Sequence, residues 1–565
     1  MSIYRKFCRE VTDEHGALKE FTLDYPDNFN FGYDVADRIA EETPDRRALV
    51  WCNAGGEEHT FTFSQIREYS NRMANVVRNA GIGRGDRVML ILKRHYEYWF
   101  AAVALHKLGA VMIPVTHMLT VSDLVYRLRA SRAKAVVCTA RNQVPDKVRE
   151  ALEQSGLEAA RWCVQGDAEG FENLTEAMRT AETELDRVPT KAEDPMILYF
   201  TSGTTGYPKG VIHSFSYPLA HIVTAKYWQQ AEEGGLHFTV AETGWAKASW
   251  GKIYGQWLVG SAVMVYDFDS FDPKQLTWII NRYGVTSFCA PPTVYRYLVR
   301  KGIPDMPALK HASTAGEMLA PEVFRKFTER TGLELCEGYG QTETTLLLAN
   351  FRGMKAVEGS MGVPSPFYHI ELRNRQGKPA GVNETGEVVI IPEKPGRQTG
   401  VFTGYLDNEE QYSHVWRGGV YHTGDAACVD ENGRWWFRGR FDDIIKTGGY
   451  RVGPYEVENV LMEHPAVAEC SVIGVPDPLR GQAIKAVIVP GRDYPPTREL
   501  EHEIREFCNM RLAEYKWIRL IEFTDEMPKT ISGKIRKGAQ RQQARIIRGN
   551  PDAAGRRAAE PAGRI

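Results

Sequence analysis

Through the first half of the chain, short apolar runs bounded by polar turns alternate with stretches whose apolar positions recur at helical spacing. Residues 62 to 81 carry such a helical pattern, and residues 87 to 92, Arg87-Val88-Met89-Leu90-Ile91-Leu92, read as a buried strand. Residues 97 to 108 are helical again and lead into the apolar segment 109 to 115. Strand, helix and strand at this spacing predict an α/β fold with a mostly parallel sheet, because parallel neighbours need a crossover between them. The alternation returns at 135 to 138, 196 to 200, 261 to 266 and 285 to 289.

From about 368 to 437 the pattern shifts to short strand-like runs, such as Gly386-Glu387-Val388-Val389-Ile390-Ile391 and Arg434-Trp435-Trp436-Phe437, broken by Gly, Asn and Pro. This predicts a barrel-like or small mixed subdomain. A further change falls near 440. Beyond it come a helix at 454 to 462, strands at 467 to 475 and 483 to 490, a helix at 498 to 513 and a basic turn at 529 to 537. The expected division is therefore 1 to 440, a small α+β domain at 441 to 540, and a frayed, then disordered tail at 541 to 565. The chain shows no internal repeat.

At 565 residues the chain is too long for one core, and its 70 basic against 72 acidic residues give no reason to expect a nucleic acid or an anionic membrane as main partner. No apolar run is long enough to span a bilayer, and the first ten residues lack the apolar stretch of a signal peptide. The nine cysteines are scattered without CxxC pairs, several in apolar runs such as Ala135-Val136-Val137-Cys138. Buried free thiols in a reducing, cytosolic compartment are the expectation. The oligomeric state is left open, a homo-oligomer included.

Five segments carry candidate chemistry. In Thr201-Ser202-Gly203-Thr204-Thr205-Gly206-Tyr207-Pro208-Lys209-Gly210 a strand runs into a Gly/Ser/Thr loop ending in Lys-Gly, suited to phosphate oxygens. It is not a Walker A loop, since Tyr207 and Pro208 separate the glycine from the lysine. In Gly338-Tyr339-Gly340-Gln341-Thr342-Glu343, Tyr339 can stack on a base, Thr342 can donate to a phosphate and Glu343 can hold Mg²⁺; a polar strand-to-helix turn is the plain alternative. Asp425, at the end of a short strand after Tyr421-His422-Thr423-Gly424, can accept from ribose hydroxyls, and Arg440 can reach the same sugar or a phosphate; a simple Asp turn competes.

The fourth segment, Gly439 to Glu458, sets Asp442, Asp443, Lys446, Gly448, Gly449 and Arg451 at the domain boundary, either as a hinge bearing catalytic groups or as a loop before a helix that starts at Pro454. The fifth, Pro528-Lys529-Thr530-Ile531-Ser532-Gly533-Lys534, puts Lys534 on a basic turn, where a mobile stem can reach a phosphate; solvated surface is the alternative.

Taken together and in this order, these segments resemble the AMP-forming acyl-CoA synthetases, within the adenylating superfamily that includes firefly luciferase and nonribosomal peptide adenylation domains. The likeness runs over roughly residues 30 to 540. It implies a large N-terminal domain of two α/β subdomains plus a β-barrel, with a small mobile α+β domain behind it. It also implies two half-reactions. A carboxylate attacks the α-phosphorus of ATP with Mg²⁺ present, and the thiol of CoA then attacks the acyl-adenylate to give a thioester and AMP.

By the same resemblance Thr201, Ser202, Gly203, Thr204, Thr205, Gly206 and Lys209 cradle the β- and γ-phosphates, and Gly316, Glu317, Glu337, Gly338 and Tyr339 bind adenine. Thr342 and Glu343 serve the α-phosphate and Mg²⁺, and Asp425 and Arg440 the ribose. Lys534 contacts carboxylate and α-phosphate, Asp442 is the hinge, Lys446 and Gly449 serve the thioester step, and Arg451 with Gly449 contacts a cofactor. Acylation of Lys534 would remove its charge and suppress adenylation.

The segment Ala241-Glu242-Thr243-Gly244-Trp245 is similar to that of medium-chain acyl-CoA synthetases, which commonly read Ser-Asp-Thr-Gly-Trp. Trp245, Trp250, Tyr254 and Gly340, with Trp257 behind, then form the acyl wall, though a helical aromatic core face fits the same spacing. The implied substrates are short-branched to medium carboxylic acids; the alternatives are aryl acids or transfer to a separate carrier protein. Arg480 and Lys485 are candidates for CoA phosphates or plain surface charges.

Overall fold

The computed structural model describes residues 2–201, 208–317, 319–394, 396–441, 443–447, 450–530 and 535–549. By contacts the chain forms two compact units. The first comprises Met1–Leu319, Val323–Ile370 and Ile390–His422; the second comprises Ala320–Glu322, Glu371–Val389 and Thr423–Ile565. The last division, between His422 and Thr423, falls within the strand Tyr421–Val429, which pairs in antiparallel register with Trp435–Arg440.

The first unit holds two large sheets. In the eight-stranded one, Pro195–Thr201, Val111–Pro114, Arg87–Ile91, Ala135–Thr139 and Ala160–Val164 are parallel neighbours in that order. The expected helices are present at Phe63–Asn79, before Arg87–Ile91, and at Glu97–Leu108, the crossover from Arg87–Ile91 to Val111–Pro114; these are the first and second of the pattern. The former opens on a capping box in which Thr62 and Gln65 satisfy each other's backbone amides, worth about 1 kcal/mol. Met89, Ile91, Ile113, Val136, Cys138 and Leu198 close the core beneath these strands. In the nine-stranded sheet a parallel centre, Arg47–Asn53, Ala262–Asp267, Leu236–Thr239, Ser287–Ala290, His311–Ala315 and Leu335–Gly340, is flanked by antiparallel edges. Ala262–Asp267, Leu236–Thr239, Ser287–Ala290 and His311–Ala315 at its middle are short and buried throughout, as expected when both faces are covered.

A four-stranded sheet of His369–Arg373, Gly386–Ile391, Tyr421–Val429 and Trp435–Arg440 answers the β-rich stretch. A five-stranded sheet follows, built on the long antiparallel pair Val467–Asp477 and Gly481–Pro490. Helices Pro454–Met462 and Arg498–Asn509 contribute Val457, Leu461, Ile504 and Cys508 to its core. The last helix, Lys537–Gly549, is tied in by Lys537 to Glu458 at 2.6 Å and by Gln540 to Ser471 at 2.7 Å. Eight of the nine cysteines are buried and all are free thiols.

Candidate functional site

Thr201 and Lys209 are register partners at the open end of an antiparallel pair, so the strands bring the two ends of the candidate phosphate loop together. Ser202, Gly203, Thr204, Thr205 and Gly206, which complete that loop, lie outside the described residues. Lys209 Nζ sits 5.4 Å from the ring centroid of Tyr405, a cation–π contact. The same tyrosine donates its hydroxyl to Glu343 Oε1 at 2.9 Å. Backbone bonds fix the segment around it: Phe402 N donates to Glu343 O at 2.7 Å, and Thr344 bridges to Val401. His213 Nε2 donates to the carbonyl of Thr342 at 2.7 Å. Burial lowers the His213 pKa to about 4, so it makes this bond as a neutral imidazole with the proton on Nε2. Lys209, Thr342 and Glu343 are thus drawn into one neighbourhood by Tyr405, Phe402 and His213, none of which sequence reasoning singled out.

Glu343 Oε2 has no hydrogen-bond partner among the described residues, and a half-buried carboxylate with one oxygen held and one open suits a hard cation. No group of three or more His, Cys, Asp or Glu able to hold a metal occurs among the described residues. A single carboxylate fits Mg²⁺, which takes much of its coordination from phosphates and water.

Gly338, Tyr339 and Gly340 correct the expected strand-to-helix turn. They belong to the strand Leu335–Gly340, and a tight turn leads not to a helix but to the antiparallel strand Leu346–Ala349. Gly338 lies against Trp228, where a Cβ would come within 2.5 Å of the indole. That indole is itself pinned through Nε1 to the carbonyl of Cys336 at 3.1 Å. Gly338→Ala should therefore cost about 1–3 kcal/mol of stability through overpacking, read as a lowered Tm; an unchanged melt would contradict the packing.

Glu337, one residue earlier, has its pKa raised to about 8 by burial. A carboxyl that is harder to ionise folded than unfolded supports the fold below its ordinary range near 4.5 and loses that support as pH rises through about 8. Glu337→Gln, always neutral, should accordingly gain in Tm relative to the parent across that window. A difference that does not change with pH would contradict the assignment.

Gly340 meets the acyl-wall candidates directly, since a Cβ there would lie 2.5 Å from both the Trp250 ring and the Thr345 carbonyl. Trp245 is half-buried and Trp250 nearly buried. Trp250 lies on the short helix Lys247–Gly251, and Tyr254 and Trp257 on a second, Tyr254–Leu258. Tyr254 is wholly buried and bonded to His106 Nε2 at 2.9 Å. Trp257 is core, stacked on Phe31 and donating to Ala48 O at 3.0 Å. Gly316 follows the strand His311–Ala315 with φ of 96°, and Glu317 is exposed and accepts from Thr293. Lys247, which sequence reasoning passed over, reaches Ala315 O at 2.6 Å, beside this adenine-binding candidate.

In the second unit Asp425 and Arg440 are cross-strand partners, joined by Oδ1 and Nη1 at 3.1 Å. Asp425 lies in the middle of the nine-residue strand Tyr421–Val429, not at the end of a short one. Gly424, with φ of 70°, lets the guanidinium lie across it, for a Cβ would stand 2.4 Å from Arg440 Nη2. The segment after 440 is a hairpin rather than a loop: Ile445–Thr447 pairs with Tyr450–Val452, with exposed Lys446 opposite Arg451, and Pro454 opens the helix as expected. The basic turn is pinched by a bridge between Lys529 and Ile535. Asp442, Gly449 and Lys534 lie outside the described residues. Lys485 is paired with Glu522, so of the two candidates for CoA phosphates Arg480 alone stays exposed.

Comparison with known proteins matches residues 36–406 to the AMP-binding enzyme family and residues 456–534 to the AMP-binding enzyme C-terminal domain. The human acyl-coenzyme A synthetase ACSM3, mitochondrial, is 38% identical over 93% of this chain and 91% of its own length. The human ACSM5 protein, also mitochondrial by name, is 39% identical over 92% and 91%. Among solved structures, the anthranilate CoA ligase AuaEII in complex with anthranoyl-AMP superposes with a TM-score of 0.82 at 27% identity, covering 93% of this chain and 99% of that one. The mitochondrial relatives overturn the cytosolic expectation.

Proposed function

The chain belongs to the AMP-binding enzyme family, and from its relatives we infer an AMP-forming carboxylate–CoA ligase that works through an acyl-adenylate. It uses ATP, Mg²⁺ and CoA. The observation that best supports this reading is the tie from Lys209 through Tyr405 to Glu343, which groups a phosphate cation with a cation-binding carboxylate. Mg²⁺ held at Glu343 would neutralise phosphate charge. The residues around it supply position: His213 and Phe402 fix the Thr342-Glu343 backbone, and Thr342 is set to donate to an α-phosphate oxygen. Charge neutralisation and positioning are what transfer to phosphorus requires, which is why no nucleophilic triad is needed.

We assign Asp425 and Arg440 to the ribose, Gly316 to Tyr339 to adenine, and Trp245, Trp250 and Gly340 to the acyl group. Lys534 serves adenylation, Lys446 and Gly449 serve thioester formation, and Arg451 with Gly449 contacts a cofactor, with Asp442 as the hinge of a small domain that begins near 441. Acylation of Lys534 would switch off the first step. An indole set against Gly340 favours short-branched to medium acids. Each methylene is worth only about 1–3 kcal/mol in such a pocket, so preference will be graded. The test is a panel of acetate, propionate, butyrate, 2-methylbutyrate, hexanoate, octanoate and benzoate. Highest kcat/KM among the branched and medium acids supports the assignment; a peak at benzoate would move it to the aryl acids.

A further inference from the structure

The departure of Glu242 from the more common aspartate has a structural counterpart. Glu242 follows the strand Leu236–Thr239, and His117 follows the strand Val111–Pro114, so both stand beyond the carboxyl ends of parallel strands, where open α/β sheets bind their ligands. His117 Nδ1 lies 3.2 Å from Glu242 Oε1. The two loops are locked together. A Cβ on Gly244 would fall 2.3 Å from Thr116 N, and both the amide and the hydroxyl of Thr243 bond to the Lys93 carbonyl.

The carboxylate side chain is only 3% exposed, while the imidazole keeps 19% of its surface open. Glu242 Oε2 has no hydrogen-bond partner among the described residues, so a buried acceptor stands unsatisfied beside the imidazole. The remaining charges here are Arg94, whose field acts on Glu242, and Lys93, bound to Asp269 at 2.6 Å and 4.0 Å from Asp267. Asp269 in turn feels His117. Five residues beyond Glu242 the same segment delivers Lys247 to Ala315, beside the adenine-binding candidate.

A buried carboxylate accepting from Nδ1 fixes the tautomer in which Nε2 carries the free lone pair and holds the ring in one orientation. We propose that His117, oriented by Glu242, is the general base that takes the proton of the pantetheine thiol in the thioester half-reaction. The thiol proton passes to Nε2 and the sulfur lone pair forms the bond to the acyl carbonyl carbon. The bond from that carbon to the phosphate oxygen breaks, its electron pair leaving with AMP. The imidazolium then returns its proton to solvent. This step rests on the CoA-ligase reading above.

The experiment supplies synthetic acyl-adenylate and CoA to the full chain and follows thioester formation against pH. Carboxylate-dependent ATP–pyrophosphate exchange serves as the control for fold and first step. His117→Gln should slow thioester formation about a hundredfold near neutrality. The deficit should shrink at alkaline pH, where the thiol ionises unaided. Glu242→Gln should show a smaller loss with the same pH shape, and it carries the test if the histidine variant does not fold. A deficit that is the same at every pH, an equal fall in pyrophosphate exchange, or parent-like rates would each overturn the proposal. If the parent itself exchanges pyrophosphate but makes no thioester from acyl-adenylate and CoA, the ligase reading fails instead.

Discussion

Replacing Lys534 by alanine is expected to lower adenylation by about 10²- to 10³-fold while thioester formation from supplied acyl-adenylate and CoA continues at close to the parent rate. A cation placed where charge develops acts mainly in the transition state, in a site that excludes water, so its removal falls on the rate more than on substrate binding. The second half-reaction starts after the phosphorus has been attacked and no longer needs that cation. Carboxylate-dependent pyrophosphate exchange reads the first step, and single-turnover thioester formation reads the second. Equal loss in both would remove Lys534 from the role assigned to it. Acylation of the same side chain should reproduce the pattern, because it takes away the charge and leaves the stem.

Lys446→Ala is expected to do the reverse, slowing thioester formation by roughly tenfold to a hundredfold with pyrophosphate exchange preserved. Lys446 is exposed on a three-residue strand opposite Arg451, and its truncation removes no buried contact, so a loss confined to one half-reaction would not come from misfolding. An unchanged rate from acyl-adenylate and CoA would detach this hairpin from the second step. Together the two lysine variants ask whether the small domain presents different residues to the two chemistries.

The parallel sheets were legible because their strands are unbroken apolar runs with amphipathic helices between them. Pro195–Thr201 and Glu97–Leu108 lie within a residue of where the pattern put them. Glycine-rich functional strands were not. Leu335–Gly340 reads as a turn by composition, yet Gly338 and Gly340 are strand residues whose missing side chains make room for Trp228 and Trp250. The Ile445–Val452 hairpin was hidden in the same way by short strands and adjacent glycines. Asp425 and Arg440 were found as separate candidates, but only the register showed them facing each other. Tyr405, His213 and Lys247 had no local signal, because their roles depend on partners far along the chain: Glu343, Thr342 and Ala315. The acyl wall divided along burial, with Trp250 against Gly340 and Trp257 in the core.

The most direct test of the central claim is product analysis of the purified protein with ATP, Mg²⁺, CoA and hexanoate or 2-methylbutyrate. AMP, pyrophosphate and acyl-CoA should form in equal amounts, and none should form when the acid is left out. ADP and inorganic phosphate in place of AMP and pyrophosphate, or AMP released with no thioester on any acid, would contradict it.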